Sequence, residues 1–259
     1  MQKDYTAYVN MLNEELKWAG ELQKQLLESE IPNSPHIDFN VTYEPLPNLH
    51  CGGDYYDIIP FGKDRFIILI GDVAGHGVKG AFITTMLKTM IYRGYVRERV
   101  GQEFSPADFL GWLNSRVCKQ LKDFPDMLVT FFAALIDLPR QRVLYSNAGH
   151  FPFFLFRPDG SRVKCGVKGV GMGFKTKLQY EEAEQKIGAE DNAVFFTDGL
   201  LEHPLSNSPI TLDQLGEVMG GHINAPHPHQ KIIETVKQRM NTSELYDDIT
   251  LLSFRVKSV

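Results

Sequence analysis

The stretch from Cys51 to Gly77, "CGGDYYDIIPFGKDRFIILIGDVAGHG", decides how the rest of the chain is interpreted. Two runs rich in β-branched and aromatic residues flank the turn-forming letters "GKD", and this pattern predicts a hairpin of two strands. Asp54 begins the first strand after two glycines, and Asp72 ends the second strand just before "VAG". A carboxylate at the end of a buried strand is costly unless it is hydrated, hydrogen-bonded or bound to a cation.

Acids occupy the same position on two further predicted strands. Asp198 follows "AVFFT", and the pair Asp247–Asp248 precedes "ITLLSF". One such acid is ordinarily a turn former, but several of them converge if their strands are neighbours. Converging carboxylates repel one another, and Mg²⁺ or Mn²⁺ is their natural partner because both ions prefer oxygen ligands. The glycines beside Asp54 and Asp72 would let the main chain approach such a cation closely.

Composition restricts the class of protein. The 259 residues carry a formal net charge of -5, with 43% hydrophobic and 23% charged residues, as in ordinary globular domains. This mildly acidic balance gives no reason to expect nucleic-acid binding. The longest apolar runs are strand-sized, so we expect no membrane segment. Cys51, Cys118 and Cys165 are far apart in the chain, which favours free thiols and a cytoplasmic location.

The order of predicted elements favours an α+β fold with antiparallel sheets. Strands come in runs, and two helices over residues 78–95 and 105–121 separate those runs, unlike the regular alternation of a doubly wound fold. The segments "LVTFFAALIDL", "RVLYSNAG" and "FPFFLF" are predicted as a meander of three strands, and "KLQYEEAEQKI" as a further strand. A late helix is predicted over "HQKIIETVKQRM", and the histidines of "PHPHQ", at residues 226–230, are expected on the surface.

We expect residues 1–35 to form an N-terminal helix and linker, and residues 36–259 to form the main domain. Apolar residues in the helix have an a/d-like spacing that Gln23 interrupts: Val9, Leu12, Leu16, Ala19 and Leu26. Two alternatives remain open. The helix either packs on the main domain as a single amphipathic helix, or forms a short coiled coil that makes a homodimer or joins the chain to a sensor or regulator.

The chain contains an ordered set of short motifs: "GGDYYDIIP", "IGDVAGHGVKGAF", "LVTFFAALID" with "LYSNAGHFPFFLF", "GVGMGF", "AVFFTDGLLE" and "YDDITLL". This set resembles the bacterial SpoIIE/RsbU-type serine/threonine phosphatases, a branch of the metal-dependent, protein phosphatase 2C-like superfamily. The resemblance covers residues 16–256. It implies a four-layer α-β-β-α sandwich in which residues 36–259 form the phosphatase domain, with two Mg²⁺ or Mn²⁺ ions at one edge of the sheets.

The resemblance also assigns roles to individual residues. Asp72 resembles the acid that bridges both ions, and Val73 resembles the residue that lends its carbonyl oxygen. Asp54 resembles the acid of the second ion. The acids of the first ion are Asp198 and Asp247, with Asp248 as a substitute. Asp72, Asp54 and Asp198 are thus the expected catalytic acids.

Three polar residues near these motifs are candidates for supporting roles. His76 lies four residues after the bridging acid, and its ring either stiffens the loop or transfers a proton. Asn147 and His150, in "SNAGH", are expected to shape a turn near the site. Eukaryotic relatives have a histidine two residues after the bridging acid, where this chain has Ala74. No counterpart of their phosphate-binding arginine is identified before Asp54.

The implied activity is Mg²⁺- or Mn²⁺-dependent hydrolysis of phosphoserine or phosphothreonine in a protein, by attack of a water that bridges the ions. The implied substrate is a phosphorylated anti-sigma-factor antagonist in a bacterial partner-switching pathway. Two alternatives are a phosphatase-fold binding module without activity and a hydrolase of a small phosphate ester. The chain lacks a P-loop motif, which counts against a nucleotide as substrate.

Overall fold

The computed structural model describes residues 2–27, 30–46, 49–75, 77–91, 94–95, 103–124, 127–201, 209–242 and 246–258. The helices in these residues are α1 (Gln2–Leu27), α2 (Val78–Ile91), α3 (Pro106–Gln120), α4 (Leu212–His222) and α5 (Pro228–Met240). The strands are β1 (Ile37–Glu44), β2 (Asp54–Pro60), β3 (Arg65–Val73), β4 (Val129–Asp137), β5 (Arg142–Ala148), β6 (Phe153–Phe156), β7 (Arg162–Cys165), β8 (Glu182–Lys186), β9 (Asn192–Phe196) and β10 (Ile249–Val256). None of these helices is long and apolar enough to span a lipid bilayer.

The strands form two five-stranded sheets that pack face to face. The first sheet has the order β1-β10-β9-β6-β7, and the second has the order β2-β3-β4-β5-β8. Every hydrogen-bonded pair of strands is antiparallel. Helices α2 and α3 cover the outer face of the second sheet, and α4 and α5 cover the outer face of the first. The predicted four-layer α-β-β-α sandwich is confirmed.

Strand β3 shows why the sequence has continuous apolar runs. Ile67 and Leu69 pack in the core beneath helices α2 and α3. Ile68 and Ile70 point to the opposite face and pack in the core between the two sheets. Because both faces of the sheet are covered, successive positions are apolar even though the side chains alternate between faces.

The predicted hairpin and the helix predicted over residues 105–121 are confirmed. Strands β2 and β3 pair around the predicted "GKD" turn, with Pro60 opposite Phe66. Helix α3 begins at Pro106, and the hydroxyl of Ser105 accepts a hydrogen bond from the main-chain N–H of Asp108 at 3.2 Å. This contact satisfies one of the donors that every helix leaves unpaired in its first turn.

The prediction of a three-strand meander is wrong in its last strand. Strands β4 and β5 pair with each other, but β6 belongs to the other sheet and pairs with β7 and β9. The chain changes sheets at a turn in which Asn147 and His150 are joined by two hydrogen bonds of 2.7 and 2.8 Å. The hydrophobic pattern of β6 is the same in either sheet, so it does not reveal this crossover.

Two elements were not predicted, and one predicted strand is shorter than expected. Helix α4 contains three glycines, at positions 216, 220 and 221, which lower its intrinsic helix propensity and conceal it in the sequence. Strand β7 has only four residues, and three of them are only partly buried or exposed. The strand predicted from "KLQYEEAEQKI" is confined to β8.

Helix α1 packs on the main domain through one face and leaves a second apolar face exposed. Gln23 and Leu27 are buried against the domain. The residues with the a/d-like spacing do not form one buried stripe. Leu12 and Leu26 are exposed, and the other three residues are half-buried. The exposed large hydrophobic residues of α1 are Tyr8, Met11, Leu12, Trp18, Leu22 and Leu26.

One histidine of "PHPHQ" is not on the surface as expected. His229 lies in the first turn of α5 and is only 2% exposed. Its Nδ1 atom is 3.1 Å from Thr42 Oγ1 on β1, and its Nε2 atom is 2.8 Å from Ser253 Oγ on β10. The ring thus joins helix α5 to the first sheet, and burial lowers the pKa of His229 to about 4.

This buried imidazole makes stability depend on pH. The unfolded chain takes up a proton near pH 6.5, whereas folded His229 takes it up only near pH 4, so protonation favours unfolding between those values. We expect His229 to remove about 3 kcal/mol of unfolding free energy as the pH falls from about 6.5 to about 4. Urea denaturation at a series of pH values should show a shallower dependence for His229→Gln than for the parent protein.

The exposed residue His227 provides the matched control for this prediction, since it precedes the same helix. The variant His227→Gln should keep the parental dependence on pH. An unchanged slope in His229→Gln between pH 4 and 6.5 would contradict the assignment of the effect to His229.

Candidate metal centre

Two carboxylates face each other on the neighbouring strands β2 and β3. Asp54 and Asp72 are directly opposed in the antiparallel register. Ile58 and Ile70 lie an even number of residues from them and pack in the core between the sheets. Because side chains alternate along a strand, both carboxylates belong to the face that the two sheets share, at the end of their strands.

Asp54 connects the two sheets at this edge. Its carboxylate is 1% exposed, and Oδ2 accepts hydrogen bonds from the hydroxyls of Thr197 and Thr250 at 2.8 and 2.7 Å. Thr197 directly follows β9, and Thr250 lies on β10, both in the opposite sheet. One oxygen atom therefore links the second sheet to the first at this edge.

Negative charge accumulates around Asp54. Burial raises the pKa of Asp54 well above its usual value, and the carboxylates of Asp72 and Asp248 raise it further. The hydrogen bonds from the two threonines act in the opposite direction. A cation at this position would relieve the repulsion between these carboxylates.

Asp198 is brought to the same edge by its immediate neighbours. It is half-buried and begins a short 3₁₀ helix, Asp198–Leu200, directly after Thr197. On its other side, Gly199 packs so closely on the main chain of Asp248 that a methyl group there would overlap the carbonyl oxygen. The segment containing Asp198 is thus held between residues that contact the other candidate acids.

The adjacent acids Asp247 and Asp248 differ in their surroundings. Asp248 is 2% exposed, and its two carboxylate oxygens accept hydrogen bonds from the N–H groups of Leu46 and Gly53 at 2.8 and 2.7 Å. Asp247 is half-buried, and its Oδ1 accepts from the N–H group of Asp248 at 2.8 Å. Asp248 therefore fastens two main-chain segments to the start of β10.

The turn after Asp72 contributes main-chain oxygens to the site. A methyl group built on Gly53 would lie 2.8 Å from the carbonyl oxygen of Val73, 3.1 Å from that of Gly75 and 3.4 Å from Asp72 Oδ1. Only glycine fits this position, and three oxygen atoms surround it. Such a set of hard oxygen donors fits Mg²⁺ or Mn²⁺ rather than a soft metal.

Among the described residues, the fit to a metal ion does not depend on side chains alone. In the part of the chain that the structure describes, no group of three His, Cys, Asp or Glu side chains is placed to hold a metal ion. The fit to a divalent cation therefore depends on main-chain carbonyls together with the carboxylates.

His150 and Asn147 extend the row of polar groups along the second sheet. Thr130 on β4 lies opposite Asp72 in register, and its hydroxyl oxygen is 2.9 Å from His150 Nδ1. Burial lowers the pKa of His150 to about 4, so the ring is neutral at physiological pH. Asn147 closes the turn that holds this ring. His76 lies outside the described residues.

Three threonines were missed in the sequence, although they lie within its motifs. Thr197 and Thr250 hold Asp54, and Thr130 joins Asp72 to His150 through the sheet register and a hydrogen bond. Their signal is position: Thr197 directly precedes Asp198, and Thr250 lies two residues after Asp248. Threonine is common in any strand, so its contact with an acid is recognised only when the pairing of the strands is known.

Helix α1 contacts the edge of the site through Gln23. Its Nε2 donates to the carbonyl oxygen of Gly52 at 2.7 Å, and its Oε1 accepts from the N–H group of Gly52 at 3.0 Å. The same Nε2 is 2.9 Å from the hydroxyl of Thr84 on α2. One amide thus connects two helices to the residue next to Gly53.

Comparison with known proteins extends these observations. The chain is 26% identical over 249 residues to the phosphoserine phosphatase RsbU of Bacillus subtilis (strain 168), a match that covers 95% of this chain and 71% of RsbU. It spans 41%, 58% and 36% of the length of three other curated relatives.

Solved structures share the fold. The SiaA-PP2C domain of Pseudomonas aeruginosa superimposes with a TM-score of 0.79 at 23% identity, over 97% of this chain and 99% of that domain. RsbX in complex with magnesium superimposes with a TM-score of 0.62 at 16% identity, over 88% of this chain and 99% of RsbX.

The family itself is shown by the sequence. Residues 62–257 match the family model described as Stage II sporulation protein E (SpoIIE). This match covers most of the chain and includes every candidate acid except Asp54, which lies just before it. The chain therefore belongs to the SpoIIE family of metal-dependent, protein phosphatase 2C-like serine/threonine phosphatases.

Proposed function

We propose that this chain removes phosphate from phosphoserine or phosphothreonine in a protein, with Mg²⁺ or Mn²⁺ held where its two sheets meet. One observation carries the proposal. Asp54 opposes Asp72 within one sheet and accepts a hydrogen bond from Thr197, the neighbour of Asp198, in the other. This arrangement supports a shared site for acids that are far apart in sequence, at one edge of the sandwich.

We assign the cation ligands from the donors present at this edge. They are the carboxylates of Asp54, Asp72, Asp198 and Asp247 and the carbonyl oxygen of Val73. Asp248 is a weaker candidate, because both of its oxygens already accept main-chain hydrogen bonds. Four carboxylates carry enough negative charge for two divalent ions, which is the number that the family resemblance implies.

The chemistry divides between the ions and the chain. Bound divalent cations lower the pKa of a coordinated water and neutralise charge on the phosphoryl oxygens. The chain orients the ligands: Thr197 and Thr250 fix Asp54, and the Gly53 main chain leaves room for the carbonyl of Val73. Because water is the attacking group, no nucleophilic side chain is required.

The substrate class follows from the relatives. RsbU is named as a phosphoserine phosphatase, and SpoIIE/RsbU-type enzymes typically act on phosphorylated anti-sigma-factor antagonists. We therefore propose such an antagonist as the substrate, in a bacterial partner-switching pathway. An enzyme with this substrate works in the cytoplasm.

Helix α1 is the proposed regulatory element, and residues 1–35 and 36–259 are the proposed division of the chain. Gln23 and its contacts with Gly52 and Thr84 support regulation, because a movement of α1 would act directly on the residue before Gly53. The exposed apolar face of α1 supports docking of a regulator or of a second copy of the chain, since exposed patches of this kind mark interaction sites.

The variant Asp72→Asn tests the function directly. We expect it to lower Mn²⁺-dependent hydrolysis of both p-nitrophenyl phosphate and a phosphorylated antagonist at least about 100-fold, since loss of an outer partner alone costs 10–100-fold. The exposed strand residue Asp38 provides the control, and Asp38→Asn should leave both rates unchanged. Full activity in Asp72→Asn, or parental activity that persists in chelator, would refute the proposal.

The two buried acids should respond oppositely to neutralisation in the absence of metal. Asp54→Asn removes a buried charge beside other carboxylates and keeps an oxygen for both threonines, so we expect a higher melting temperature in chelator. Asp248→Asn turns an amide NH₂ toward a main-chain N–H donor, so we expect a lower melting temperature in chelator for this variant. Differential scanning calorimetry in chelator measures both, and a lower melting temperature for Asp54→Asn would contradict the charge argument.

Removing the Gln23 amide should loosen the loop that precedes Asp54. We expect faster amide hydrogen exchange at Gly52 in Gln23→Ala, because Gln23 accepts the hydrogen bond from that N–H group. We also expect a higher Mn²⁺ concentration for half-maximal activity. Gln25, exposed on the same helix, is the control position. If Gln23→Ala and Gln25→Ala require the same Mn²⁺ concentration, α1 does not regulate the site through Gln23.

A further inference from the structure

The hydroxyl group of Tyr43 is buried beside the candidate metal centre without a hydrogen bond. Tyr43 lies on β1 opposite Thr250, and its ring packs against that of Tyr56 with the ring centroids 6.0 Å apart. Val41, two residues earlier, packs against the core between the sheets, so Tyr43 points to the same side. Among the residues that the structure describes, none forms a hydrogen bond with Tyr43 Oη.

The surroundings of this hydroxyl are acidic. A methyl group built on Gly52 would lie 2.6 Å from Tyr43 Oη and 2.5 Å from Asp248 Oδ2, so the two oxygens flank the same glycine. Burial raises the pKa of the Tyr43 phenol above its usual value, and the carboxylates of Asp248 and Asp54 raise it further. A phenol keeps its proton at physiological pH, so the hydroxyl is available to these neighbours as a donor.

A buried hydroxyl without a partner destabilises a fold, and native proteins contain few of them. Phenylalanine at this position would keep the contact with Tyr56 and avoid the unpaired group. The hydroxyl contributes to the protein only if it gains an acceptor in another state. Binding of a cation by the adjacent acids is such a state, because it fixes carboxylate oxygens and waters beside Tyr43.

We propose that Tyr43 is a positioning residue for the divalent-cation site, and that its hydroxyl donates to an oxygen of the ligand shell when the cation is bound. This inference rests on the proposed function. Donors around the ligands of a metal orient those ligands, and their loss typically weakens metal binding 10–100-fold. Tyr43 is suited to this role because β1 and the ring of Tyr56 fix its direction.

The test compares Tyr43→Phe with the parent protein in two measurements. Calorimetric titration gives the dissociation constant of Mn²⁺, and scanning calorimetry in chelator gives the metal-free melting temperature. We expect Mn²⁺ to bind about 10-fold more weakly to Tyr43→Phe, with a metal-free melting temperature that is unchanged or higher. The neighbouring ring provides the control: Tyr56→Phe should retain parental Mn²⁺ affinity.

The outcomes separate this inference from the proposed function. Unchanged Mn²⁺ affinity in Tyr43→Phe would overturn the inference and leave the proposed function standing. A lower metal-free melting temperature would also overturn it, because the hydroxyl would then support the fold itself. A parent protein that binds no Mn²⁺ would overturn both.

Discussion

The candidate centre depends on one buried carboxylate oxygen that accepts hydrogen bonds from two threonine hydroxyls. Asp54 Oδ2 joins Thr197 and Thr250 across the gap between the sheets, and the register of β2 and β3 places Asp72 beside it. Burial and neighbouring charge both oppose ionisation of this group. The fold holds the carboxylate there nonetheless, in a geometry set by the pairing of the strands.

Main-chain groups do much of the positioning around this carboxylate. Asp248 accepts from two N–H groups, and the oxygens around Gly53 belong mostly to carbonyls. The two adjacent acids at the start of β10 therefore have different tasks despite their identical chemistry. Asp248 organises the backbone, whereas Asp247 is the more accessible of the two.

Local signals in the sequence predicted most of the fold. The β2–β3 hairpin and the antiparallel α+β class follow from turn residues and the order of the predicted elements, whereas the four-layer arrangement follows from the family resemblance. The crossover of β6 into the other sheet, the glycine-containing helix α4 and the burial of His229 depend on contacts between distant segments, which no local pattern records. The same holds for the site: the acids were recognised from their motifs, but the threonines, Gln23 and Tyr43 gain meaning only after the strands are paired.

The glycine pair before Asp54 forms a junction at which a larger residue does not fit. Gln23 binds the peptide groups of Gly52, Tyr43 and Asp248 flank the same residue, and Gly53 donates to Asp248. This junction has no side chains of its own, so its position depends on the hydrogen bonds that Gln23 and Asp248 form with its peptide groups. Any larger residue would displace these partners, because a methyl group on Gly52 would lie 2.5 Å from Asp248 Oδ2 and one on Gly53 would lie 2.8 Å from the carbonyl oxygen of Val73.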